Sequence, residues 1–190
     1  MSQVLLRRWT RHEYERMVEA GVFPPGDRVE LVDGEIVTMP PQSSAHATAI
    51  RMIEETLRRA FVAGHDVRTQ LPLGLEAASE PEPDICVVPG SFQDYRDMHP
   101  TTAVLVVEVA DTSLAFDRDH KARLYGRAGI REYWIANLID RVVEVHRDPA
   151  PLPVARLGRG YQSVRSYRPG ETIAPTAAPH AQVAVDDLLP

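Results

Sequence analysis

Glu108 stands inside the run Val104-Leu105-Val106-Val107-Glu108-Val109, where every other residue is apolar. A β-like run of that kind is expected to be covered on both faces. A carboxylate buried there costs several kcal/mol or more unless it is paired, protonated or bound to a metal. The plainer reading puts Glu108 near the strand's C-terminal end, partly solvated. Ligand sites of α/β sheets gather at such ends as well. A second carboxylate, Asp84, follows Pro83 and opens the apolar run Ile85 to Val88. Pro-Asp is also a common turn element, so Asp84 alone says little. Together, two carboxylates on adjacent β-like runs can face one another. Hard divalent cations take carboxylate and carbonyl oxygens plus water, and the backbone carbonyl of Val109 offers one more oxygen. Such a cation polarises a phosphodiester, generates hydroxide and stabilises charge on the leaving oxygen.

The third candidate comes from counting. Lys and Arg total 21, and Lys121 is the one lysine. A coding bias toward arginine explains most of that imbalance. A lysine that survives it marks a place where a planar guanidinium would not serve. The ammonium is compact, approaches a single oxygen and shifts its pKa when buried. The competing reading is drift.

These residues need elements to hold them. Thr10 and Glu13 form a capping-box pattern for a short helix ending near Gly21. Arg28 to Val32 and Glu35 to Val37 flank Asp33-Gly34, a strong hairpin signal. Ser43 and Ser44 can cap a helix running to Gly64, with Ile50, Ile53, Leu57 and Phe61 on one stripe. Three β-like runs follow: Val67 to Leu75, Asp84 to Val88, and Ala103 to Val109. A helix is expected from about Asp117 to Ala128, stopped by Gly129. Glu132 to Asn137 and Arg141 to His146 read as strands, Pro149 to Pro153 as a loop, and Tyr161 to Tyr167 and Val183 to Val185 as a returning tail. The order is α/β, a central mixed β-sheet flanked by helices, with an N-terminal helix and hairpin.

Length, 190 residues, fits one domain over 1–190 with a sizeable core. Cys86 is the single cysteine, which excludes an internal disulfide and suits a reducing, cytoplasmic setting. It lies in a buried run and is expected to be inert. Met1 to Tyr14 is broken by arginines, so no signal peptide is expected, and no stretch is long and apolar enough for a membrane span. The net charge of -6 does not favour a protein that coats nucleic acid nonspecifically. It leaves room for an enzyme with a local basic groove. No phosphate-cradling glycine loop, HExxH or Ser-His-Asp signature is present, and the other histidines show no zinc-like spacing.

Five blocks in series carry a resemblance: Arg28 to Glu35, then His46, then Pro83-Asp84, then Val106 to Val109, then Asp117 to Lys121 with Tyr125 and Ala128 to Trp134. Over about residues 5–150 they resemble the Uma2 family of the PD-(D/E)XK nuclease superfamily. The resemblance implies a restriction-endonuclease-like core and a Mg²⁺- or Mn²⁺-dependent endonuclease acting on DNA. It implies that Asp84 is the aspartate of the PD element, Glu108 the acidic residue of (D/E)XK, and Glu30 the early carboxylate that completes the metal site. Position 110, where the motif's lysine would stand, is Ala110; the resemblance implies that the lysine has moved to Lys121. Glu30, Asp84, Glu108 and the Val109 carbonyl are then the expected metal ligands, and Lys121 positions the attacking water and stabilises the phosphorane. Gln70, on the run before Asp84, is placed to orient that water. His46 lies on an apolar helix stripe, where a histidine is more often core; the resemblance makes it site-lining. Tyr125, one turn after Lys121, reads as packing, as do Tyr133 and Trp134. Folds of this kind often work as homodimers, with the tail from Tyr161 and the Trp9 helix as interface candidates. The alternative is a catalytically silent scaffold that keeps the fold.

Overall fold

The computed structural model describes residues 6–151 and 159–190. The apolar runs form a six-stranded mixed sheet of β3 (His65–Thr69), β4 (Ile85–Pro89), β5 (Leu105–Ala110), β6 (Glu132–Asn137), β7 (Val142–Pro151) and β8 (Arg159–Tyr167), neighbours in that order. Only β5 and β6 pair in parallel. That pair needs a crossover, and the helical segment between them supplies it. β5 is central and buried at every residue, as its composition requires.

Side chains alternate across β5. Leu105, Val107 and Val109 join one core with Ile50, Ile53 and Leu57 of α2 (Ser44–Ala60). Val106 and Ala110 join the other, with Leu124 and Tyr125. By the same period of two, Glu108 points toward the second layer. Each fully buried Leu or Ile contributes roughly 2 kcal/mol, so both layers hold the sheet firmly.

The capping box at Thr10 and Glu13 forms and starts α1 (Arg11–Glu19). β1 (Val29–Val32) and β2 (Glu35–Thr38) make the expected hairpin. Asp33 and Gly34 both take positive φ, 51° and 78°, as a type I′ turn demands. Gly34 has a second reason to lack a Cβ: one would lie 2.8 Å from Arg8 Cβ. Ser43 caps α2, which stops at Ala60 rather than Gly64.

Three further boundaries differ from expectation. β3 ends at Thr69, not Leu75, because Gln70 turns to φ 51° and Pro72 lacks a donor. The expected loop at Pro149 is strand as far as Pro151; residues 152 and 153 of that expectation lie outside the described residues. The expected helix Asp117 to Ala128 starts earlier and is not uniform. It runs as α3 (Leu114–Phe116), a π turn over Asp117–Lys121, and α4 (Ala122–Arg127). The Asp117 carbonyl accepts from Ala122 N–H, five residues on, and also from the Tyr133 hydroxyl at 3.2 Å. A side-chain donor entering the helical ladder is an established cause of such a widening. The tail pairs β9 (Thr172–Ile173) with β10 (Val183–Ala184) and closes the α2 layer.

His146 of β7 is packed among Tyr133 and Tyr161, 6% exposed, and its Nε2 has no hydrogen bond, with Glu144 Oε2 3.9 Å away. Burial pulls its pKa down to about 4. The folded value lies below the unfolded one, so the unfolded chain binds this proton more tightly. Stability is complete above about pH 6.5 and is lost as pH falls toward about 4. In urea unfolding, His146→Phe should reduce that acid loss by on the order of 3 kcal/mol. An unchanged loss would assign it to other groups.

Candidate active site

Just before the start of β4, Asp84 stands beside β5 and exchanges two bonds with it. Its backbone N–H donates to Glu108 Oε2 at 3.2 Å, and Val109 N–H donates to Asp84 Oδ2 at 2.9 Å. Each carboxylate is thus anchored by the other's strand. Asp84 and Glu108 are 7% and 4% exposed.

Behind Glu108 lies Lys121, wholly buried. Its ammonium donates to Glu108 Oε1 at 3.1 Å and to Glu30 Oε2 at 2.8 Å. Glu30 comes from β1, so the hairpin, the sheet and the π turn meet at one cation. Glu30 Oε2 also accepts Glu82 N–H at 3.0 Å, while its Oε1 is buried with no hydrogen-bond partner. Tyr125 donates to Glu108 Oε1 at 2.6 Å. Tyr125 is therefore a member of the site and not packing alone. Its place four residues after Lys121, on the same helix face, was the available signal.

Burial pushes Glu108 up to about 8, against the pull of Lys121. Burial also works to strip Lys121 of its proton, but Glu108 and Glu30 outweigh it and hold the ammonium above its ordinary value. All three neighbours of Glu108 named above are donors, the pattern that an ionised carboxylate accepts.

The open side of the carboxylate pair is a small cavity of about 30 Å³, room for about one water. Asp84, Glu108, Val109, His46, Asp111 and Asp117 are among its lining residues. Half-buried His46 sits with Nε2 3.4 and 3.3 Å from the two Asp84 oxygens, and its Nδ1 is 3.8 Å from Asp111. Burial lowers its basicity, but Asp84 and then Asp111 carry the pKa above the ordinary value. Gln70 Nε2 donates to Asp84 Oδ1 at 3.3 Å. Ser43, the α2 cap, donates to Asp111 at 2.8 Å.

Asp117 is a cavity residue that reading the sequence as a plain helix start did not single out. Burial pushes it up to about 6, against its bond from Ser113. Its signal was the i, i+4 relation to Lys121. Glu30 and Lys121 do not line the cavity; they stand behind Glu108. Cys86 is buried and its thiol pushed up to about 12 by burial, in keeping with an inert role.

Among the described residues no three His, Cys, Asp or Glu side chains form a ready metal cage. Mg²⁺ does not require one: it is commonly held by one or two carboxylates, with water and substrate oxygens completing the octahedron. Glu108 Oε2 and Asp84 Oδ2 each accept one backbone N–H, which leaves acceptor capacity on both. The donor set and the water-sized cavity therefore fit a hard divalent cation.

Removing Lys121 would leave two buried carboxylates facing each other. Lys121→Met should destabilise the fold by about 3 to 5 kcal/mol, and Tyr125→Phe by about 1 to 3 kcal/mol, both measured by urea unfolding. A Lys121→Met protein as stable as the parent would show that the ammonium is not the hub.

No curated protein matches the chain. The structure is similar to a crystal structure from Anabaena variabilis ATCC 29413 described as a "putative nuclease belonging to DUF820", with a TM-score of 0.68 and 13% identity over 90% of this chain and 96% of that one. At that identity the likeness speaks for the fold, which is restriction-endonuclease-like. The family model Uma2, described as "Putative restriction endonuclease", matches residues 11–186. The chain belongs to the Uma2 family.

Proposed function

We propose that this protein is a metal-dependent endonuclease that hydrolyses phosphodiester bonds of DNA. The observation that carries the reading is the Asp84–Glu108 pair, backed by a buried lysine and opening on a water-sized cavity. The family description and the fold support the nuclease class.

Asp84, Glu108 and the Val109 carbonyl would hold Mg²⁺ or Mn²⁺, with Glu30 supporting them through Lys121. The bound cation supplies Lewis acidity and a water of lowered pKa. The remaining work falls to the chain's own groups. Lys121 and Tyr125 fix the orientation of the Glu108 carboxyl group by donating to its Oε1. Gln70 and the Val109 N–H fix Asp84. His46, held beside Asp84 and Asp111, presents its imidazole on the cavity wall, where a ring N–H would donate to an approaching phosphate. Two copies acting together would cut both strands of a duplex, and light scattering after gel filtration reads that assembly directly.

One observation favours a silent scaffold instead. Lys121 is sealed between Glu30 and Glu108 and has no exposed face, so its role toward substrate would be indirect. The two readings separate in one experiment. Purified protein is incubated with supercoiled plasmid, linear duplex and single-stranded DNA, with Mg²⁺, Mn²⁺ or EDTA. Metal-dependent cleavage is expected, reduced about 100-fold or more in Asp84→Asn and Glu108→Gln. No cleavage, together with no Mn²⁺ binding by calorimetry, would leave the scaffold.

A further inference from the structure

A second, much larger cleft lies on the other side of the hairpin, with a volume of about 840 Å³. That is the size of a small-molecule site. Six carboxylates, three guanidiniums and one histidine are among its lining side chains. The excess of negative charge repels a nucleic-acid backbone, so this cleft is not a continuation of a substrate channel.

Its wall holds a carboxylate short of a partner. Glu80 is 6% exposed, and its Oε2 is buried with no hydrogen bond. The ion-pair neighbour, Arg11 Nε, is 3.9 Å away, outside hydrogen-bond reach, and lies closer to Glu15 at 3.3 Å. The backbone of Glu80 is fixed beside the hairpin by two hydrogen bonds with Leu31, at 2.8 and 3.3 Å. Burial, then the charge of Glu15 and a hydrogen bond with its side chain, push its pKa up to about 7 against the pull of Arg11, the response of a buried carboxylate with too little countercharge. Glu82 lines the same wall. Beside them Tyr14 and Phe23 pack with ring centroids 5.9 Å apart and give the cleft an aromatic side. A metal ion matches this poorly: the space is far too large and no three carboxylates converge among the described residues. A carboxylate oxygen without a hydrogen bond beside aromatic faces suits an organic cation, which takes charge-assisted hydrogen bonds at its head and ring contact along its body.

We propose that this cleft binds an organic cation, a primary ammonium or a guanidinium, received by Glu80 and Glu82 and covered by Tyr14 and Phe23. The proposal stands apart from the nuclease reading. It also places the ligand against the strip that serves the other site. Glu80 and Glu82 face the cleft, Glu82 N–H holds Glu30, and Asp84 lines the small cavity. Arg28 lines both spaces.

The test is calorimetry on the full chain with spermidine, agmatine and an end-capped Gly-Arg-Gly peptide. Binding of at least one is expected, weakened about tenfold or more in Glu80→Gln and in Phe23→Ala, and retained in Glu108→Gln. Binding of the free amines alone identifies a small ligand; binding of the peptide alone identifies a partner protein's side chain. Either supports the chemistry. No binding of any probe overturns the proposal. So does binding lost in Glu108→Gln but kept in Glu80→Gln, which would move the cation to the small cavity. If circular dichroism shows Glu80→Gln unfolded, Phe23→Ala decides: weakened binding supports the cleft and unchanged binding overturns it.

Discussion

One ammonium, that of Lys121, is shared between two carboxylates in the interior, and much of the structure is arranged around that fact. A buried charge costs several kcal/mol, and attraction repays it only with good geometry and full hydrogen bonding. Lys121 has two carboxylates within 3.1 Å. Glu108 has Lys121, Tyr125 and a backbone N–H. Glu30 has Lys121 and a backbone N–H but keeps one oxygen unpartnered. The cluster is almost satisfied: one Glu30 oxygen has no partner, and Lys121 uses two of its three donors on the carboxylates. That is the electrostatic state in which a cation is welcome.

The fold supplies these groups from elements far apart in sequence. The hairpin carries Glu30, the β4 start carries Asp84, the sheet centre carries Glu108, and the helical crossover between the parallel strands carries Lys121 and Tyr125. Arg127, at the end of α4, pairs with Glu76 and with Asp33 of the hairpin turn. That contact ties hairpin to helix and closes the arrangement from outside. The π turn has a local part in this. By opening at the Asp117 carbonyl, it takes in the Tyr133 hydroxyl and lets Asp117 and Lys121 serve opposite sides of Glu108: one on the cavity, one in the core.

The site also explains why the molecule can be acidic overall and still belong to a family of nucleases by description. Its negative charge is not spread evenly. The small cavity concentrates Asp84, Glu108, Asp111 and Asp117 beside one histidine, while the large cleft gathers carboxylates beside aromatic rings. The two spaces meet at Arg28 and at the Glu80–Asp84 strip. Charge that would be unfavourable along a nucleic-acid groove is gathered in two separate spaces.

Much of this was legible in the residues. A carboxylate inside an unbroken apolar run must be compensated, and the central strand with Glu108 followed from composition alone. The Asp33-Gly34 hairpin, the Ser43 cap and the helix stripe followed from local rules, because turns and caps are decided by neighbouring residues. A lone lysine among arginines pointed to Lys121 before any geometry was known. Tertiary structure decided the rest. Spacing put Tyr125 on the face of Lys121, but its bond to Glu108 came from how that face packs; His46, site-lining by resemblance, meets Asp84 because the α2 start lies over it. The π turn depends on a hydroxyl from Tyr133, sixteen residues away. That Glu30 meets Lys121 and not the cavity depends on how the hairpin docks. Local propensity chooses elements; which side chains share a buried space is settled only when the layers pack.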